Sequence, residues 1–260
     1  MMFDNIIRPK RKKIKVFWWN TFPNFGDTIT PELFKIYGFE PEWSEIKDAD
    51  VVSTGSILSM VHEDYAGIIL GSGLISDRWD LKFPSAKILA LRGEETRKRI
   101  GLSQPVVLGD PGLLADGLLK SRKKKKKRIG IIPHYIDKTD ERIKQIGEKH
   151  KKQVRIIDIQ QKPLKVIAEI DACEYILSSS LHGLIAADSL GIPSGWIELS
   201  DNVIGKGFKF NDYNSAISSS HIPFRITGGE TVDELTTMAR PVPQKVEEVK
   251  MQLHHLFKNL

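Results

Sequence analysis

The chain has 260 residues, 40% hydrophobic and 28% charged, with a formal net charge of +6 and a pI near 9.2; this length buries a substantial core, as one large domain or two of about 120–130 residues. No apolar run approaches the roughly 18–20 residues of a membrane span, and the basic N-terminus lacks the apolar stretch and small-residue site of a cleaved signal, so a cytoplasmic protein is expected. A single cysteine, Cys173, excludes an internal disulfide and a cysteine-rich zinc site, and its apolar flanks mark it as a buried, inert thiol.

The positive charge sits in two places, residues 8–15 and the run SRKKKKKR at 121–128, while acids and bases nearly balance elsewhere. Such runs read first as solvated linkers or turns, with attraction to an anionic membrane as the alternative. No RNP-like aromatic motif or zinc finger accompanies them, and no nucleic-acid partner is expected.

In chain order, residues 14–18 predict a strand, 32–37 a helix, 51–53, 68–70 and 87–91 strands, 94–100 a helix and 106–108 a strand. Wholly apolar strands separated by helices or loops imply a parallel sheet covered on both faces. After the lysine run the pattern restarts: a strand at 128–133, a helix at 140–149, a strand at 154–159, a helix at 163–170, a strand at 175–177, a helix from Leu181 or His182 and a strand at 195–199. The expected fold is α/β, two Rossmann-like domains facing a cleft: 1–120, a basic linker at 121–128, 129–243, and a closing helix at 244–260 packed back on the first domain. In that last helix His254 and His255 are adjacent, share no face at metal-ligand spacing, and are assigned to the surface.

Four polar junctions at the carboxyl ends of apolar strands are the candidate site. In NTFPNFGDTITPELF, Thr30 and Pro31 read as the N-cap and first residue of a helix, leaving Asn24, Gly26 and Asp27 in the loop before it. Asp27 either orients a hydroxyl or acts as a base, or with Asn24 it only holds a turn. In IILGSGLIS, Gly71 and Gly73 open a dinucleotide-like fingerprint that lacks its third glycine, yet the small residues, Ser72 among them, leave room for an anion on backbone N–H groups. Arg92, at the end of a strand and before an acid-led helix, is suited to phosphate or carboxylate, or to a structural ion pair. In YILSSSLHGLIAADSLGIP, Ser178, Ser179 and Ser180 lead into a helix N-terminus that favours anions and presents His182, beside Gly183, for acid work near neutral pH; His134 of IIPHY is its expected neighbour. For both histidines a purely structural role is the competing reading.

NFGDTITPEL, LALRGEETRKRIG, LGDPGLLAD, SSSLHGLIAADSLGIP and GKGFKFNDY, in this order from about residue 15 to 216, resemble the polysaccharide pyruvyl transferase family. The resemblance implies a two-domain fold similar to the GT-B glycosyltransferases and transfer of pyruvate from phosphoenolpyruvate, a co-substrate, onto two sugar hydroxyls as a cyclic ketal, with no cofactor or metal. The implied partners are a glycan or lipid-linked oligosaccharide acceptor and, peripherally, an anionic membrane. The family's motifs fall on Asn24, Gly26 and Asp27, on Arg92 and Gly93, and on His182 and Gly183. The resemblance implies catalytic roles for His182 (acid or phosphate contact), Arg92 (anion clamp) and Asp27 (base or hydroxyl orientation). Around them Asn24, Gly26, Gly71, Ser72, His134, Ser179, Ser180, Gly183 and Lys206 form the expected donor site. Many members carry arginine two residues before the histidine, where Ser180 stands here; Lys206, Lys209 and His134 are the candidates for the replacing cation. Two other functions fit the same architecture: a nucleotide-sugar glycosyltransferase and a non-catalytic glycan- or anion-binding relative.

Overall fold

A computed structural model describes residues 11–122, 124–220 and 222–260. The first half begins with β1 (Lys12–Phe17), whose Ile14, Val16 and Phe17 are buried, and runs into α1 (Phe25–Ile36). There follow β2 (Phe39–Trp43), β3 (Val51–Val52), β4 (Ile68–Leu70), β5 (Lys87–Leu91), α2 (Glu94–Arg99) and β6 (Val107–Leu108). The second half contains β7 (Lys127–Ile132), α3 (Glu141–Lys149), β8 (Val154–Ile156), α4 (Pro163–Asp171), β9 (Cys173–Ser178), α5 (Leu181–Ser189), β10 (Ser194–Glu198), α6 (Phe208–Ile217), β11 (Phe224–Arg225), α7 (Val232–Thr237) and α8 (Lys245–Lys258). The fold is mixed α/β with two parallel sheets, as two Rossmann-like domains require.

Six strands form the first sheet in the order β2-β1-β3-β4-β5-β6, and five form the second in the order β11-β10-β9-β7-β8; every paired neighbour is parallel. Both orders reverse direction once, between β1 and β3 in one sheet and between β7 and β9 in the other. At such a switch the loops leaving two adjacent strands diverge to opposite faces and open a crevice at the carboxyl edge. Each sheet therefore carries one built-in binding position.

Three differences from the sequence expectations have local causes. Helix α1 starts at Phe25, seven residues before the expected start: Asn24 is its extended N-cap, the Asn24 carbonyl accepts from the amides of Asp27 and Thr28, and Pro31 lies inside the helix. Burial of Phe25, Ile29 and Leu33 along one face outweighs the backbone hydrogen bond that proline removes. Strand β2, FEPEW, was not anticipated because its proline and acids read as a break; it is a sheet-edge strand, where proline is tolerated. The basic run is more tied down than a solvated linker. Arg122 donates to Asp171 at 2.6 Å and to the Leu190 carbonyl, Lys125 donates to the Asp171 carbonyl, and β7 already starts at Lys127. Of the first basic cluster, residues 8–10 lie outside the described residues.

Helix α8 buries Val246, Val249, Leu253 and Phe257. Phe257 meets Phe34 edge-on and stacks on Tyr37, and a Cβ on Gly109 would lie 2.4 Å from Val249, so the helix seats on α1 and on the loop after β6. His254 is not a free surface residue. It is half-buried against Tyr37, whose hydroxyl it hydrogen-bonds, and burial lowers its pKa; His255 is exposed. Cys173 is fully buried, and burial pushes its thiol up to about 11. No helix among the described residues is long and apolar enough to cross a membrane.

Candidate active site

A cavity of about 350 Å³ is lined by residues from both switch points. From the first half come Trp19, Phe22, Asn24 and Asp27 after β1, and Ser56, Ile57, Ser59 and Met60 after β3. From the second come His134 and Tyr135 after β7, Ser180, Leu181 and His182 after β9, and Lys209 from the first turn of α6. The two carboxyl edges thus face each other across one space, and two of the four polar junctions expected from the sequence, the Asn24–Asp27 and the Ser180–His182 segments, meet there with His134 from more than a hundred residues apart.

Asp27 sits in the first turn of α1, and its Oδ2 accepts from Asn24 Nδ2 at 2.7 Å. Burial raises its pKa above the ordinary aspartate value; the charge of His182, the Asn24 hydrogen bond and Lys209 oppose that, and Asp110 adds to it. Ser180 is the N-cap of α5, its side chain makes no capping bond, and it is 4% exposed at the cavity wall. His182 follows in the first turn with 8% exposure. Its imidazole packs on Gly26 so closely that a Cβ there would lie 2.0 Å from Nδ1, which is why a residue without a side chain stands at position 26. On the other side, Nε2 faces Asp110 Oδ2 at 3.5 Å.

Lys209 is the cation of the cavity. Burial, and the nearby charge of Arg92, lower its pKa to about 8, with Asp27 opposing, so it remains charged at neutral pH. His134 does not supply a second positive charge: burial, then the Lys209 charge, lower its pKa to about 4 and leave the ring neutral. Its Nδ1 accepts from the Ile136 amide at 3.4 Å, and its own backbone N–H donates to Ser179 Oγ at 2.8 Å. Ser179 joins the two loops and faces a neighbouring cavity.

Seven of the twelve expected site residues do not line this cavity: Gly26 and Ser179, placed above, and Lys206, Gly71, Ser72, Gly183 and Arg92. Lys206 is exposed, in a turn where Gly205, Lys206 and Gly207 all take left-handed φ, and it lines the neighbouring cavity with Trp196 and Glu198. That turn directs Lys209, three residues on, into the site instead. Gly71 (φ 82°) packs on Pro111, where a Cβ would lie 2.3 Å from Cδ, and Ser72, fully buried, donates to the Gly55 carbonyl. Gly183 allows α5 to approach Ser178, and its N–H is taken by the Ser180 carbonyl, so it offers no amide to an anion.

Arg92 is the largest correction. It is fully buried: Nε donates to Asp212 Oδ2 at 2.9 Å, Nη1 to Ser56 Oγ and Nη2 to the Leu74 carbonyl. Asp212, on α6, also accepts from the Thr96 amide at 2.8 Å and the Thr96 hydroxyl at 2.7 Å. It thereby caps α2 from another helix, because the N-cap residue of α2 is Gly93. A Cβ at Gly93 would overlap the Asp212 carbonyl oxygen at 1.7 Å, so the arginine-glycine pair is a docking surface for α6. All three guanidinium nitrogens are engaged within the protein and the side chain is fully buried, so its contact with the cavity runs through Ser56.

Sequence reasoning also passed over Asp110, which lies behind His182. Within LGDPGLLAD it reads as the N-cap of a short helix with Pro111 following, and its Oδ1 does accept from the Gly112 amide at 2.8 Å. Only the tertiary structure reveals what the second oxygen faces. Among the described residues, no three or more histidine, cysteine or acidic side chains converge as a metal would require.

Comparison with known proteins bears on the family of the chain. The sequence profile of the family described as polysaccharide pyruvyl transferase matches residues 3–201, ending before the 205–213 motif. A protein of Acanthamoeba polyphaga mimivirus, Uncharacterized protein L143, is 35% identical over 170 residues, covering 62% of this chain and 58% of its own length. The Succinoglycan biosynthesis protein ExoV of Rhizobium meliloti (strain 1021) is 25% identical over 231 residues, 86% of this chain and 71% of ExoV. The chain thus spans a little over half of the first relative and under three quarters of the second. With the family profile covering most of its length, the chain belongs to the polysaccharide pyruvyl transferase family.

Proposed function

We propose that this protein moves the pyruvyl group of phosphoenolpyruvate onto two hydroxyls of a glycan, forming a cyclic ketal and releasing phosphate. The observation that carries the reading is the cavity between the two switch points, which brings an acid candidate, a base candidate and a lysine with no ion pair among the described residues around one space of substrate size. Family membership and the likeness to ExoV support a polysaccharide, or its lipid-linked precursor, as acceptor.

Phosphoenolpyruvate carries a phosphate and a carboxylate. Lys209 and the positive end of α5 at Ser180 and Leu181 are the groups that meet them, and the neutral His134 adds a hydrogen bond. His182 delivers a proton to the methylene carbon; the C=C pair forms the new C–H bond, and the central carbon becomes an oxocarbenium. A glycan hydroxyl adds there while Asp27 accepts its proton. Phosphate leaves with the C–O bonding pair, and the second hydroxyl closes the ketal. One hydroxyl proton is thereby balanced by the new methyl group and the other by the departing phosphate, with no change of oxidation state. Trp19 and the exposed Phe22 and Tyr135 at the mouth provide aromatic faces for sugar rings. In this reading the two sheets close on the donor as in GT-B enzymes, and the exposed Lys124 and Lys126 favour contact with an anionic membrane that carries a lipid-linked acceptor.

A thermal-shift donor screen tests the proposal: phosphoenolpyruvate is expected to raise Tm, and to be converted to phosphate once a hydroxylated glycan is added. Stabilisation by a UDP- or GDP-sugar with no response to phosphoenolpyruvate would move the protein to the glycosyltransferases.

Asp27 leads to a pH prediction. Its folded pKa is raised, so the proton is held to higher pH than on an exposed aspartate, and the base is lost on the acid side earlier than an ordinary carboxylate would be. The acid limb of kcat is expected above the usual aspartate range near 4. The same shift sets stability: a raised carboxyl favours the folded state below its unfolded pKa, and that contribution disappears as pH rises through the folded value. Asp27→Asn should therefore be inactive yet at least as stable as the parent at neutral pH, with the difference shrinking towards pH 4. Urea titrations at both pH values, beside the rate profile, check both halves.

A further inference from the structure

Two buried polar atoms face each other behind the cavity without a hydrogen-bond partner, Asp110 Oδ2 and His182 Nε2. Asp110 is fully buried, its Oδ1 is already committed to the Gly112 amide, and the 3.5 Å separation is about 0.5 Å beyond a good N–H···O bond. A carboxylate with one satisfied and one orphaned oxygen, sealed from water, is costly unless that oxygen has a donor. Among the described residues, the imidazole of His182 is the donor group that pairs with it. Asp27 and Lys209 line the cavity with His182, and Gly26, which has no side chain, lies beside Nδ1.

We infer that Asp110 is the positioning residue of His182: it holds the proton on Nε2 and leaves Nδ1, the nitrogen beside Gly26, as the one that exchanges a proton in the cavity. This rests on the proposed role of His182 and deepens it. Gaps of this size commonly tighten once substrate fills the site, and a carboxylate behind a histidine sets both tautomer and ring orientation. Three segments combine for this purpose. The Asp-Pro-Gly turn after β6 fixes the carboxylate, the start of α5 presents the ring, and Gly26 of α1 leaves the room that any side chain would take. Ring rotation would bring Nε2 to the cavity and strand Asp110, so the pair also selects one of the two ring orientations.

The test uses Asp110→Asn, which keeps an oxygen for the Gly112 amide and replaces the carboxylate oxygen facing the ring. In an otherwise intact protein, kcat is expected to fall about 10- to 100-fold, while the dissociation constant of phosphoenolpyruvate changes less than about twofold. In a His182→Gln background the same substitution should have almost no further effect on kcat, because its influence passes through the ring. An equal loss in both backgrounds would overturn the inference, as would an unchanged kcat. A long-range proton–nitrogen NMR spectrum of histidine-labelled protein gives a readout independent of turnover: His182 is expected as the Nε2–H tautomer, lost or mixed in Asp110→Asn. If the parent protein ignores phosphoenolpyruvate yet shows that tautomer and its loss, the donor assignment fails and the pairing stands. A His182 protonated on Nδ1 alone sinks the pairing whatever the donor is.

Discussion

Asp212→Ala is expected to destabilise the protein by about 3–5 kcal/mol, a large share of the total stability of a domain. The variant leaves the Arg92 guanidinium fully buried with no counter-ion, and it removes the cap from the Thr96 amide at the start of α2. Arg92→Ala is expected to cost a similar amount, because it strands Asp212. Desolvation explains why either single loss is so large: each charge is tolerable only through the other. A double replacement by apolar residues of similar volume should recover most of the loss, whereas a clamp for substrate would recover no activity in that protein. Equilibrium unfolding in urea of the two single variants and the double variant decides the matter. If both singles unfold like the parent while phosphoenolpyruvate affinity collapses, Arg92 is an anion clamp after all and its burial misleads.

His182→Ala is expected to lower kcat by about 10²- to 10⁴-fold, the range for loss of a positioned general acid. Phosphoenolpyruvate binding should survive, since Lys209 and the α5 terminus remain. The truncation also removes the ring that fills the space between Gly26 and Asp110, so His182→Gln serves as the companion variant with most of the volume kept. Phosphate release with a glycan acceptor, measured beside donor binding, separates the cases: an unchanged turnover number in a folded variant removes His182 from the chemistry. Gly26→Ala approaches the same point sterically. Its Cβ would lie 2.0 Å from His182 Nδ1 and displace the ring, and full activity in that variant would contradict the packing described.

Much of the scaffold was legible from local pattern. The strands at 68–70 and 87–91 fall where expected, because apolar runs that end in buried residues between turn signals match central strands of a covered parallel sheet. The start of α5 was equally readable, since three small polar residues between an apolar strand and a helical pattern admit few conformations. The start of α1 was misplaced because the Thr-Pro cap signal is real as a propensity, yet one missing hydrogen bond is worth less than the buried face of Phe25, Ile29 and Leu33. Strand β2 was missed because its pairing with β1, register Lys12 to Phe39, owes more to the neighbouring strand than to its own composition.

The sequence by itself determined the class of fold, the two α/β halves, and the placing of His134, Ser180 and His182 just past strand ends, since periodicity and junction chemistry are written in neighbouring residues. Only the tertiary structure decided what these groups face. Arg92 is neutralised by an aspartate 120 positions away, Lys209 rather than Lys206 enters the cavity, and Asp110 turns its free oxygen to the histidine. Burial and Coulomb interaction depend on distance in space, and strand order and helix packing, which bring remote segments together, are not encoded in any single stretch of the chain.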